Sequence, residues 1–97
     1  MKREQYCFAI GYNGGDAIVD KRAMSRYGKK SPRELADLGL YKSALSAALF
    51  DDDREGQQYV LEKFNEKSGA ALADTDNLVK VLGIIPSWKE ISTVRYV

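Results

Sequence analysis

Between Phe8 and Asp20 the chain reads FAIGYNGGDAIVD, which crowds Gly11, Gly14 and Gly15 beside Asp16. Clustered glycines let a backbone approach a phosphate closely, but each phosphate loop has its own spacing and context. A dinucleotide loop needs G-x-G-x-x-G between a strand and a helix, so that the helix N-terminus meets the pyrophosphate. The spacing here is G-x-x-G-G, and the following Ala17-Ile18-Val19 has strand composition. A Walker loop needs G-x-x-x-x-G-K-[ST], which Gly28-Lys29-Lys30-Ser31 does not supply. A Gly-x-x-Gly loop of the KH type joins two helices, whereas this one joins two strands. The glycines therefore read as a turn. Asn13-Gly14 is a strong hairpin signal, because a type I′ turn needs positive φ at both central residues. Gly15 would be a bulge or a third loop residue.

A second group is DKRAMSRYGKKSPR, residues 20–33. It holds Lys21, Arg22, Arg26, Lys29, Lys30 and Arg33, with Tyr27 among them. Basic side chains neutralise phosphates and an interleaved aromatic stacks on a base. These seven residues are the candidate contacts for an anionic ligand or nucleic acid. Arg22 and Arg26 are four apart and share a helix face. The competing reading is a solvated helix and loop whose cations sit well at a helix C-terminus, and the nearly neutral chain favours it.

A third group, Asp51, Asp52, Asp53 and Glu55, has the carboxylates that a hard cation wants. No calcium-loop spacing accompanies them, and a helix N-terminus explains the run. Asp74-Thr75-Asp76-Asn77 lacks the glycine at the sixth loop position and the glutamate at the twelfth. Cys7 is the only cysteine and there is no histidine. That removes internal disulfides, His-assisted Ser or Cys nucleophiles, His general bases, and zinc or iron–sulfur sites. An enzyme would have to work with Asp, Glu, Lys, Tyr or Arg alone, and no spacing supports one. We expect no catalysis, no metal and no cofactor.

The 97 residues suit one domain, and 44% apolar content suits a packed one. Net charge is +1, but residues 1–43 hold nine Lys/Arg against five Asp/Glu, and residues 44–97 six against nine. MKREQYCFAIG begins basic, yet its apolar run is short and lacks a small-residue cleavage pattern, so it does not read as a signal peptide. No apolar run approaches the ~18 residues of a membrane span. The single thiol fits a reducing, cytoplasmic setting.

The elements that must position these groups follow from period and punctuation. Tyr6, Phe8, Ile10 and Tyr12 alternate with Cys7, Ala9 and Gly11, which predicts a strand over 5–12. Asp20 caps a short helix over 21–27, with Gly28 as its left-handed end. Ser31-Pro32-Arg33-Glu34 is a capping box with proline at the first helical position. Leu35, Leu38, Leu45 and Leu49 then form an apolar face, unless Gly39 breaks the helix at Leu38; the break is the favoured reading. A further helix runs from about Asp53 to Lys67, burying Tyr59, Val60, Leu61 and Phe64, and stops at Gly69. Asp74 or Thr75 caps a last one, closed by Gly83. Ile91 to Val97 alternates as a final strand, and Trp88 and Tyr96 are core or edge anchors.

Leu38-Gly39-Leu40-Tyr41-Lys42-Ser43-Ala44-Leu45 resembles the turn and second-helix start of a tetratricopeptide repeat, L-G-x-Y-x-x-A-L. The resemblance covers those eight residues. Pro32 falls where that repeat wants a small helical residue, and no second copy is present. It implies a tight helical hairpin in which Tyr41 and Ala44 pack.

Together these signals predict a single α+β domain over residues 1–97. It has an N-terminal β-hairpin, three to five short helices and a C-terminal strand completing a small antiparallel sheet. The expected function is a non-catalytic protein-interaction or regulatory module, with a protein partner or a homodimer formed through an exposed sheet edge. The alternative is a nucleic-acid-binding module using residues 21–33. No membrane association is expected.

Overall fold

Four of the six helices among the described residues begin on a side chain that accepts a hydrogen bond from the first turn, where backbone N–H groups lack helical partners. The computed structural model describes residues 1–85 and 88–97. Asp20 accepts from Ala23 N and starts α2, Lys21–Tyr27. Ser31 and Glu34 form the expected capping box at α3, Pro32–Asp37. Asp53 accepts from Gly56 N at α5, Arg54–Ser68, and Asp74 from Asn77 N at α6, Thr75–Leu82. Between α3 and α5 lies α4, Tyr41–Phe50. Gly39, at φ +81°, ends α3 and lets the chain reverse into α4, so the helix breaks there.

The N-terminus departs from the strand reading. Residues Arg3–Cys7 form a helix, α1, and only Ala9–Asn13 is strand β1. Gln5, counted in the strand, instead turns its Oε1 back to accept from Lys2 N at 2.8 Å, half of a capping box. This extra helix is why six are found where three to five were expected. Strand β2, Asp16–Val19, pairs antiparallel with β1 through the register Asn13↔Asp16. The loop is thus Gly14-Gly15, with positive φ at Gly14 alone, so the I′ requirement is not met. The register slips between Ala9 and Gly11, which puts the bulge at Ile10 and not at Gly15. Gly28 is right-handed, at φ −63°: a Cβ there would press on the Met24 carbonyl and the Glu4 side chain of α1, so contact selects it.

A short 3₁₀ turn at Trp88–Glu90 leads into strand β3, Thr93–Tyr96. β3 lies beside β2, in the order β1-β2-β3, and runs parallel to it. The sheet is therefore mixed, not antiparallel. Alternation specifies a strand's faces, not its direction, and the long helical segment between β2 and β3 is the crossover that parallel pairing needs.

At the centre is α4, whose residues Ala44 to Ala48 are all buried. The small side chains of Ala44, Ser46, Ala47 and Ala48 let α1, α3 and α5 approach α4, with Tyr6, Leu35, Leu45, Val60 and Leu78 in the same core. Tyr41 and Ala44 both pack, and Tyr41 meets Phe64 of α5, outside the hairpin, edge-on at 5.5 Å. Val60 and Leu61 are buried, and Tyr59 and Phe64 half-buried. Arg3 ties this assembly to its flank. Its Nε donates to Asp51 at 3.0 Å, and its Nη1 and Nη2 reach the Gly28 and Lys30 carbonyls.

Leu38 and Leu45 shared a face by spacing, but the break leaves Leu38 54% exposed while Leu45 is buried. Leu45→Ala should cost about 2–5 kcal/mol of stability, and Leu38→Ala under about 0.5 kcal/mol, both read by chemical denaturation. Equal losses would show that the two leucines share one packed face.

Candidate functional site

Segment 20–33 does not form one surface. Arg22 and Arg26, four apart, share one side of α2, and Lys29 lies in the turn that follows it; all three are exposed. Among the described residues none of the three is in a salt bridge. Lys21 turns away from Arg22 and Arg26: its Nζ sits 6.0 Å from the centre of the Tyr96 ring, which walls the same groove as Lys29. Lys30 is half-buried and its carbonyl is held by Arg3 at 3.2 Å. Arg33 belongs to the α3–α5 side, 5.6 Å from the Tyr59 ring and 3.9 Å from Glu55. Tyr27, the intended stacking platform, already stacks on Phe8 with centroids 6.4 Å apart, and Arg26 lies 5.4 Å from its ring.

The glycine cluster also acquires a structural role. The Gly15 carbonyl accepts from Ser92 N at 2.9 Å, Thr93 N at 3.2 Å and Ser92 Oγ at 3.2 Å. A Cβ on Gly15 would stand 2.8 Å from Ser92 Oγ. The hairpin tip is thus the landing point of the C-terminal strand. The acidic run is divided in the same way: Asp51 holds Arg3 and Asp53 caps α5. No group of three metal-ligating side chains converges among the described residues.

Several concavities remain. One, about 710 Å³, lies between α4 and α6 and is lined by Leu49, Val79, Ile84 and Ile85. A second, about 340 Å³, opens between β1, α2 and the start of α4 beside Tyr27 and Leu40. A third, about 260 Å³, lies between α1 and α2 and has Lys2, Met24, Lys29 and Tyr96 among its walls.

The edge of β3 carries the most specific geometry. Thr93 N donates to the Gly15 carbonyl and Val97 N to the Val19 carbonyl at 3.0 Å, both on the β2 side. Alternation then turns the Val94 and Tyr96 N–H groups to the outer edge. β3 is the last strand of the sheet, so among the described residues no strand pairs with that edge. Tyr96 is 46% exposed and its hydroxyl accepts from Gln5 Nε2 at 2.7 Å; it is the edge residue. Trp88 is the core one, 4.4 Å from the Phe50 ring.

Sequence reasoning missed Arg3, Lys2 and Gln5, all of which work through contacts made possible by α1. The spacing Lys2-x-x-Gln5 held a trace of the cap, but lysine is not a residue that announces one. Compared with protein-family models, with curated proteins and with solved structures, the chain has no match. No helix among the described residues is long and apolar enough to cross a membrane.

Cys7 is buried, and burial pushes its thiol up to about 12, opposed in part by nearby Arg3. Burial likewise pushes the Tyr6 phenol upward, while its hydroxyl donates to the Ile85 carbonyl at 2.8 Å. The folded state holds these protons more tightly than the unfolded chain. Their contribution is therefore fully present below the unfolded thiol's range and is lost as pH rises toward about 12. Stability should be flat across about pH 6–8 and fall above about pH 9. Cys7→Ala should make that fall shallower, as followed by denaturant titration. Native Cys7 should also resist iodoacetamide at about pH 8; labelling at the rate of a free thiol would contradict its burial.

Proposed function

We propose that this chain is a small protein-interaction module without catalytic activity, and that its working surface is the outer edge of β3. An extended segment of another protein adds there as a fourth strand. The observation that carries the reading is the pair of outward N–H groups at Val94 and Tyr96, on a strand whose other edge is bonded to β2. Main-chain bonds of this kind supply affinity, and alternate side chains supply selection.

The other edge suits the task less. β1 is broken by its bulge between Ala9 and Gly11, a device that discourages edge pairing. β3 has neither bulge nor proline within Thr93–Tyr96. A second copy of the chain is also a poor occupant. The two-fold antiparallel register that pairs Val94 with Tyr96 sets Arg95 against its own copy, and like charges directly opposite are destabilising. The nucleic-acid alternative rests on Arg22, Arg26 and Lys29, which are exposed. It is weaker because Tyr27 is already stacked and Arg33 lies elsewhere.

The test is a titration of the isotopically labelled protein with an extended peptide of about ten residues. The peptide alternates threonine and valine and carries a short polyether tail for solubility. Amide resonances of residues 93–97 should move more than those of 9–13. Tyr96→Ala should keep most of the binding, whereas Tyr96→Pro should abolish it, because proline removes the outward N–H without touching the β2 ladder. Shifts centred on β1, or unchanged binding by the proline variant, would overturn the proposal.

A further inference from the structure

We infer that the segment added at β3 is acidic, and that Lys2, Lys21 and Lys29 around Tyr96 select it. The inference rests on the strand-pairing reading and names the chemistry of its partner. β3 ends at Tyr96, whose ring is one wall of the groove between α1 and α2. Lys2 and Lys29 line the same groove and are exposed. Lys21 is fixed at the end of the strand in two ways. Its backbone N–H donates to the Val97 carbonyl at 3.2 Å, and its ammonium lies over the Tyr96 ring. Gln5 holds the ring from the other end through the phenol oxygen.

The charges at this end of the strand are unbalanced. None of the three lysines has a salt-bridge partner among the described residues, and the groove contains one carboxylate, Glu4. Arg95, further along β3, adds nothing to this imbalance, because it is paired with Asp16 at 3.4 Å. An uncompensated patch of one sign steers and selects a partner of the other sign. An acidic strand satisfies both features of the surface. Its main chain meets the Val94 and Tyr96 N–H groups, and carboxylates beyond the paired residues reach the lysines. A nucleic acid could meet the lysines but would leave the two outward N–H groups without strand partners.

The experiment uses fluorescence anisotropy on the full chain. The probes are three labelled threonine–valine peptides ending in glutamates, glutamines or lysines, and a single-stranded oligonucleotide of about ten nucleotides. The glutamate peptide should bind about tenfold more tightly than the glutamine one, and the gap should shrink at near-physiological salt. Lys21→Gln with Lys29→Gln should weaken the glutamate peptide and leave the glutamine peptide unchanged; both positions are exposed, so the fold is retained. Equal binding of the glutamate and glutamine peptides would overturn the acidic selection while leaving strand pairing standing. Binding of none of the peptides would overturn both. Tighter binding of the oligonucleotide, lost in the same double variant, would overturn the inference in favour of nucleic acid.

Discussion

A β-strand has two hydrogen-bonding edges, and β2 uses both within this chain. The two-residue turn at Gly14-Gly15 places β1 on one of them at once. The C-terminal strand then has only the other edge of β2 available if it is to lie beside the buried strand. The buried residues of β2, Ala17 and Val19, reward that position. The Gly15 carbonyl fixes where β3 begins, by accepting from Ser92 and Thr93, and the Val19 carbonyl fixes where it ends. With both ends anchored, alternation decides which N–H groups face inward and which face outward. The outer edge of β3 is therefore a consequence of how β2 is filled.

The helices serve this arrangement from beneath. The small residues of α4 let neighbouring helices close around it, and α1 is one of them. Arg3 then links α1 to Asp51 after α4 and to the loop after α2. That places Gln5 and Lys2 close to the end of β3, and Gln5 holds the Tyr96 phenol. A side chain near the start of the chain thus shapes a surface built on its last strand.

What the sequence made legible was local. Asp20, Ser31, Asp53 and Asp74 cap their helices because a capping side chain needs only its own next three residues. The break at Gly39 and the existence of the N-terminal hairpin were legible for the same reason, although its turn is Gly14-Gly15 and not Asn13-Gly14. What failed depended on distant partners. Residues 5–7 alternate like a strand, but Gln5 caps α1 and Tyr6 finds Phe50, Trp88 and the Ile85 carbonyl. The direction of β3 was hidden because parallel and antiparallel strands alternate alike. The basic run 20–33 read as one patch, yet a helix, a turn and a second helix send Lys21 and Arg33 to different faces. Gly28 was read as a left-handed stop, although its requirement comes from the Met24 carbonyl and from Glu4 across the interface.

The open edge depends on the register of β3, which amide hydrogen exchange reads residue by residue. Thr93 and Val97 should be protected, because their N–H groups bond to β2, and Arg95 should follow them by alternation. Val94 and Tyr96 should exchange rapidly from the open edge. Uniform protection from Thr93 to Val97 would mean that the outer edge is already paired. Protection at Val94 and Tyr96 with exchange at Thr93 and Val97 would mean that the strand is turned the other way, and either result would rule out an outer edge open at Val94 and Tyr96.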